Sequence, residues 1–280
     1  MSETLTRSSL DGRADRVAAS TPRGATRRQS WFAVGTATFV ILLHIVGFGP
    51  SAGEFAVRNG PPSPLVLAHV FAAGAWLLLF LGQTVLVATR RTATHRRLGL
   101  VGPFLMLAMV ALIVLTVVDE AARGYDFSGD ISRGAFAPGA VPTAEQRVEA
   151  ATVGMLAPLL AAVNFTVLVA AGLWNRRRPE VHGRLMLLSL LSLGFVPLIH
   201  LGGHTIGHWP SRYGIIKTAT PILGLALLFV VAGRDWIAHR RIHPVSLWVP
   251  IALIVEFGVA ALVTPTSGWR RVAEWLVGSA

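Results

Sequence analysis

Arg90-Arg91-Thr92-Ala93-Thr94-His95-Arg96-Arg97-Leu98 is answered, 87 residues further on, by Arg177-Arg178-Pro179-Glu180-Val181-His182-Gly183-Arg184-Leu185. Both stretches carry paired arginines, three residues, and then His-x-Arg-Leu. Each lies between two long apolar runs. A repeat that includes both apolar flanks predicts a duplicated helical hairpin.

The composition says where those hairpins reside. Of the 280 residues, 53% are hydrophobic and only 14% are charged, with a mean hydropathy of +0.59. A soluble fold of this size has no interior large enough for that apolar surface. Several runs exceed the ~18 apolar residues that mark a membrane span. The expected fold class is an all-α integral membrane protein, a seven-helix transmembrane bundle with duplicated helical hairpins. Spans are expected near 31–49, 64–88, 98–118, 151–174, 184–204, 213–233 and 246–264.

The net charge of +11 comes from 25 basic residues, of which only Lys217 is a lysine. They cluster at the ends of apolar runs, where the positive-inside rule accounts for them without nucleic acid. The arginine bias fits a GC-rich bacterial genome. With the N-terminus cytoplasmic, 17 basic residues fall inside and eight outside. Asp119, Glu120, Asp126, Asp130, Glu145 and Glu149 all fall in one outer loop. The expected topology is therefore N-in, C-out in a bacterial plasma (inner) membrane. Both Arg-His motifs become cytoplasmic, with Arg90, Arg91, His95, Arg97, Arg177, Arg178, His182 and Arg184 anchoring the hairpins to anionic headgroups of the lipid bilayer.

Three regions follow from this layout. Residues 1–30 are polar and aperiodic and read as a disordered basic tail. Residues 31–264 form the transmembrane domain. Residues 265–280 place Trp269, Val272, Trp275 and Leu276 on one helical face, the pattern of an interfacial amphipathic helix. Thr143-x-x-Gln146 has capping-box spacing at the start of the fourth span. Pro103, Pro158, Pro197 and Pro221 are expected to kink the spans that contain them.

Cysteine is absent, so disulfides and thiolate ligands are excluded. Ionisable groups inside spans are the functional candidates. His44, His69 and His200 come from three helices and fall at a common depth, roughly 7 Å below the outer boundary at 1.5 Å per residue. Imidazoles converging from separate helices are what a bis-histidine haem b requires. His200, His204 and His208 follow at i, i+4 and i+8, a stripe with the potential to hold a metal. Glu256 is the one carboxylate well inside a span, placed to be protonated, to pair with Lys217, or to lie on a proton path. Gln83 and Asn164 are the other strongly polar intramembrane residues, suited to interhelical hydrogen bonds, and Gln83 or Glu256 is also suited to partner a His at a quinone site.

His69-x5-Trp76, Gln83-Thr84-x-Leu86-Val87, His95-Arg96-Arg97-Leu98-Gly99 and Arg178-Pro179-Glu180-x-His182-x-Arg184-Leu185-Met186-Leu187-Leu188 together resemble a group of uncharacterised bacterial multi-span membrane proteins. The resemblance covers residues 64–195. In that family a lysine usually follows the second histidine, where this chain has Gly183. In architecture and His placement, the hairpins are also similar to b-type membrane cytochromes and ferric-reductase-like domains. That likeness implies haem and electron transfer.

Three functions are thus in view. The first is a quinol-linked redox protein with haem on His44, His69 or His200. The second is an ion-coupled transporter with Glu256 and Asn164 as its midplane site. The third is a non-catalytic partner subunit. A metal hydrolase using the His stripe ranks behind them, because no HExxH-like spacing is present.

Overall fold

A computed structural model of the chain describes residues 23–59, 62–124, 143–200 and 222–278, with side chains except at 23–29, 50–59 and 199–200. Among the described residues every regular element is helical. Helix α1 spans Arg23–Asn59, α2 Pro64–Ala88, α3 Thr92–Leu98, α4 Val101–Ala122, α5 Ala144–Gly154 and α6 Leu156–Trp174. Then come α7 Pro179–Leu193, α8 Phe195–His200, α9 Ile222–Leu228, α10 Val230–His239, α11 Pro244–Val263 and α12 Ser267–Gly278.

Six helical stretches are long and apolar enough to cross a membrane: Ser30–Gly49, Pro64–Ala88, Thr92–Ala122, Ala144–Trp174, Pro179–Leu198 and Pro244–Val263. The pair α9–α10, bent by 43°, makes a seventh if it counts as one span. Helix α1 begins at Arg23, so the end of the stretch read as a tail is helical. The described part of the expected sixth span, counted as one with its bend, reaches His239, past the expected end near 233. Pro221, most of the 120–149 loop and most of the expected sixth span's first half lie outside the described residues.

Prolines set both the starts and the breaks. Pro64, Pro179 and Pro244 open α2, α7 and α11, where a missing N–H costs nothing. The Ser63 hydroxyl caps α2 by accepting from Val66 N–H, and His243 Nδ1 caps α11 by accepting from Val245 N–H. Within long apolar stretches, Pro103, Pro158 and Pro197 are each the third residue of a restarted helix. The ladder gives way just upstream, at Gly99-Leu100, Met155 and Gly194. A proline ring excludes the carbonyl four residues back, so the break belongs there. The capping box at Thr143 and Gln146 is formed in both directions.

The two hairpins expected from the repeat are present. The most extensive interhelical contact is α6 on α7, and α2 on α4 is next. They share one core, in which Trp76 of α2 meets Phe165 of α6 edge to face at 5.0 Å. Helix α7 is the pillar of the bundle. More than half of the residues in its span are buried, against fewer than three in ten in each other unbent span. Leu188, Leu190 and Leu191 are fully enclosed, and α1, α6, α10 and α11 all pack around this helix.

At the end remote from the motifs, α12 docks across α4 and α5. Ala273 is sealed against Val118, Ala121, Ala151 and Met155, and Trp269 Nε1 donates to the Val153 carbonyl at 2.8 Å. The residues expected on one face of this helix divide. Trp269 and Leu276 pack inward, whereas Val272 and Trp275 point outward. A helix docked on a bundle while lying at its edge needs two apolar stripes rather than one.

Candidate functional site

The turns carrying the two motifs, and the turn between α10 and α11, meet at one end of the bundle. This basic end is organised by a residue with no assigned role in the sequence reading. Asp235, on α10, is completely buried and accepts from Arg184 Nε at 2.9 Å and from Arg184 Nη2 at 2.8 Å. It also accepts from the Ser246 hydroxyl at 2.7 Å and from His243 N–H at 3.4 Å. Arg184 Nη1 donates to the Glu180 carbonyl at 2.8 Å. One carboxylate thereby fastens α7, α10 and α11 together.

This corrects the expected role of Arg184, whose guanidinium faces the interior and is only 8% exposed. The positive-inside count treated 234–241 as a solvated loop, which hid Asp235. A partner 51 residues away leaves no local signature. The signal that was available is a lone acid among arginines, next to a long apolar run.

The two motif histidines come together, with ring centroids 6.5 Å apart. His182 Nδ1 is 2.8 Å from the Gly172 carbonyl, so it carries the proton and donates. Gln83, with its amide oriented to satisfy both neighbours, donates to His95 Nδ1 and to the His95 carbonyl, and accepts from Gly99 N–H at 2.9 Å. Gln83 thus holds the α3–α4 break against α2. Both histidines are half-buried and positioned by backbone or amide groups, rather than simply facing headgroups. Arg90, Arg91, Arg97, Arg177 and Arg178 are exposed there, as the anchoring role requires.

Asn164 and Glu256 also meet. A cavity of about 10 Å³ between α6 and α11 is lined by Asn164, Glu256, Ala157, Leu160, Phe257 and Ala260. A second, of about 30 Å³, extends from Asn164 and Phe257 past Ser192 of α7 to Leu228 and Leu253. Asn164 lies near the middle of α6 and Glu256 near the middle of α11. Neither side chain has a hydrogen-bond or ion-pair partner among the described residues. Lys217, the other candidate partner of Glu256, lies outside them. A carboxylate and an amide facing one small cavity from opposed apolar helices form a site able to exchange a proton or to coordinate a small cation.

Of the three outer histidines, His44 and His69 have described side chains. His44 Nδ1 donates to the Val40 carbonyl at 2.8 Å, which leaves Nε2 free. His69 Nδ1 is buried without a partner. A Cβ placed on Gly47 of α1 would lie 2.5 Å from the Pro197 carbonyl oxygen, so α1 and α8 touch backbone to backbone. His44 lies three residues before Gly47 on α1, and His200 three residues after Pro197 on α8. His44 and His69, on the adjacent helices α1 and α2, remain available to a haem. His204 and His208 lie outside the described residues, as does the His200 side chain. No group of three metal-ligating side chains occurs among the described residues.

No family model, curated protein or solved structure matches the chain, so its function is argued from this geometry.

Proposed function

We propose that this multi-span membrane protein is an ion-coupled permease, moving a small solute together with a proton or another monovalent cation at Glu256. The observation that carries the reading is the convergence of Glu256 and Asn164 on one cavity, neither of them satisfied by another side chain. An intramembrane carboxylate is too costly to keep without a use. The Asn164 amide presents both a donor and an acceptor to the cavity that Glu256 also faces, so the pair is suited to receive the polar groups of a small solute or cation. The duplicated hairpins supply elements able to rock about such a site. By the positive-inside rule the basic end faces the cytoplasm of a bacterial inner membrane.

Proteoliposomes loaded with a pH-sensitive dye test this reading. Under an imposed gradient, a panel of sugars, amino acids, organic acids and small cations is expected to include at least one that drives proton movement. Glu256→Gln is expected to abolish that movement. Flux equal in wild type and Glu256→Gln across the whole panel would contradict it.

A second reading, a redox protein with haem b and a quinone partner, is favoured by one observation: His69 Nδ1 is buried without a partner, and His44, on the neighbouring helix α1, uses only its Nδ1. His44 and His69 would hold such a haem, which would supply one-electron chemistry. Protein purified from haem-replete cells decides it. A Soret band lost in His69→Ala supports the reading, and a spectrum without one rejects it.

A further inference from the structure

The two Arg-His turns are separate in sequence, yet the His95–His182 contact sets them side by side. Arg90, Arg91, Arg96 and Arg97 are exposed on the first, and Arg176, Arg177 and Arg178 on the second. None of these seven forms an ion pair with a described residue. Glu180 is the one carboxylate in either turn. Elsewhere in the described protein, arginines with acids nearby do pair: Arg184 with Asp235, Arg123 with Asp119 and Glu120, and Arg270 with Glu149. Trp174, 88% exposed, stands immediately beside the second cluster, where an indole marks the headgroup level.

We propose that the paired turns form one composite site for a lipid carrying two phosphates on a single headgroup, one phosphate to each arginine cluster. The positive-inside rule requires only a surplus of positive charge, which scattered arginines would meet. It does not require two clusters held in register by a contact between equivalent positions of a repeat. Guanidinium groups bind phosphate oxygens in pairs, so two adjacent clusters match two linked phosphates better than either matches one. Basic pockets between membrane helices are known to select such headgroups. The inference stands apart from the Glu256 reading, since it uses no residue of that site.

The full chain in neutral detergent, examined by native mass spectrometry and thermal unfolding, provides the test. Cardiolipin is the probe, with phosphatidylglycerol at matched charge and pyrophosphate as separate arms. Retention of one cardiolipin at a concentration at least tenfold below that needed for phosphatidylglycerol is expected. Arg96→Gln with Arg97→Gln, and separately Arg177→Gln with Arg178→Gln, are each expected to erase that preference while leaving helix content unchanged. The side chains are exposed, so both variants are expected to fold, and circular dichroism checks it. Equal retention of the two lipids overturns the proposal. So does a preference that survives either double variant, and so does stabilisation by pyrophosphate as large as by cardiolipin, which would mark a free-phosphate site.

Discussion

The two copies of the Arg-His motif begin from nearly the same residues and end in different surroundings. In the first, Arg97 is exposed, Leu98 is 36% exposed, and the helix breaks one residue later at Gly99. In the second, Arg184 is buried on Asp235, Leu185 is 6% exposed, and the helix continues unbroken to Leu193. Their histidines find different partners for a reason visible one hairpin arm away. The position equivalent to Gly172 in the first copy is Val85, and the position equivalent to Gln83 in the second is Ala170. The glycine lets α6 and α7 close up until a Cβ there would lie 2.8 Å from Met186 Sδ, which brings the Gly172 carbonyl within reach of His182. In the first copy Val85 is exposed, and the long Gln83 amide reaches His95 and Gly99 instead. A duplicated motif thus sets a local turn, and its neighbours decide whether that turn becomes a pillar or a rim.

The sharpest way to break this contrast is at the arginines. Asp235→Ala leaves Arg184 as a buried, unpaired charge and is expected to cost about 3–5 kcal/mol. Arg97→Ala is expected to stay within about 0.5 kcal/mol, as exposed substitutions do. Denaturant titration in mixed micelles measures both, and similar losses would erase the distinction. Replacing Arg184 and Asp235 together with Met and Leu is expected to recover much of the loss, because an apolar pair removes the stranded charge.

The leucines test packing apart from charge. Leu185→Ala is expected to cost about 2–4 kcal/mol, and Leu98→Ala less than about 1 kcal/mol, since the cost follows burial and the cavity left behind. Gly172→Val should cost about 1–3 kcal/mol by forcing Met186 aside. Its amide-exchange pattern should show α6 and α7 loosened at the basic end. A modest effect, about 1 kcal/mol, is expected at Gln83→Leu, because Gly99 N–H keeps its bond to the His95 carbonyl at 2.8 Å. A faster exchange of Gly99 N–H, with little change in global stability, is the signature to look for.

Much of this fold is legible in the chain because it depends on one-dimensional signals. Apolar length gives the spans, repeated flanks give the hairpins, and Thr143 with Gln146 gives a cap. Pro103, Pro158 and Pro197 give breaks just upstream of themselves. What the chain hides is azimuth. Asn164 and Glu256 are recognisable singly as costly polar residues, but only helix rotation brings them to one cavity. Asp235 is hidden for a further reason: flanking arginines give its segment the hydropathy of a loop, although burial of its ion pair makes it interior.

The functional account depends on Glu256 holding and releasing a proton within the bundle. Hydrophobic carbodiimides react with protonated carboxyl groups in apolar surroundings, so peptide mapping after treatment of the full chain in membranes reads that state directly. The account predicts that Glu256 is modified and that Asn164→Leu, across the same cavity, changes the rate of that modification. A Glu256 that stays unmodified at every pH at which the protein remains folded would contradict it.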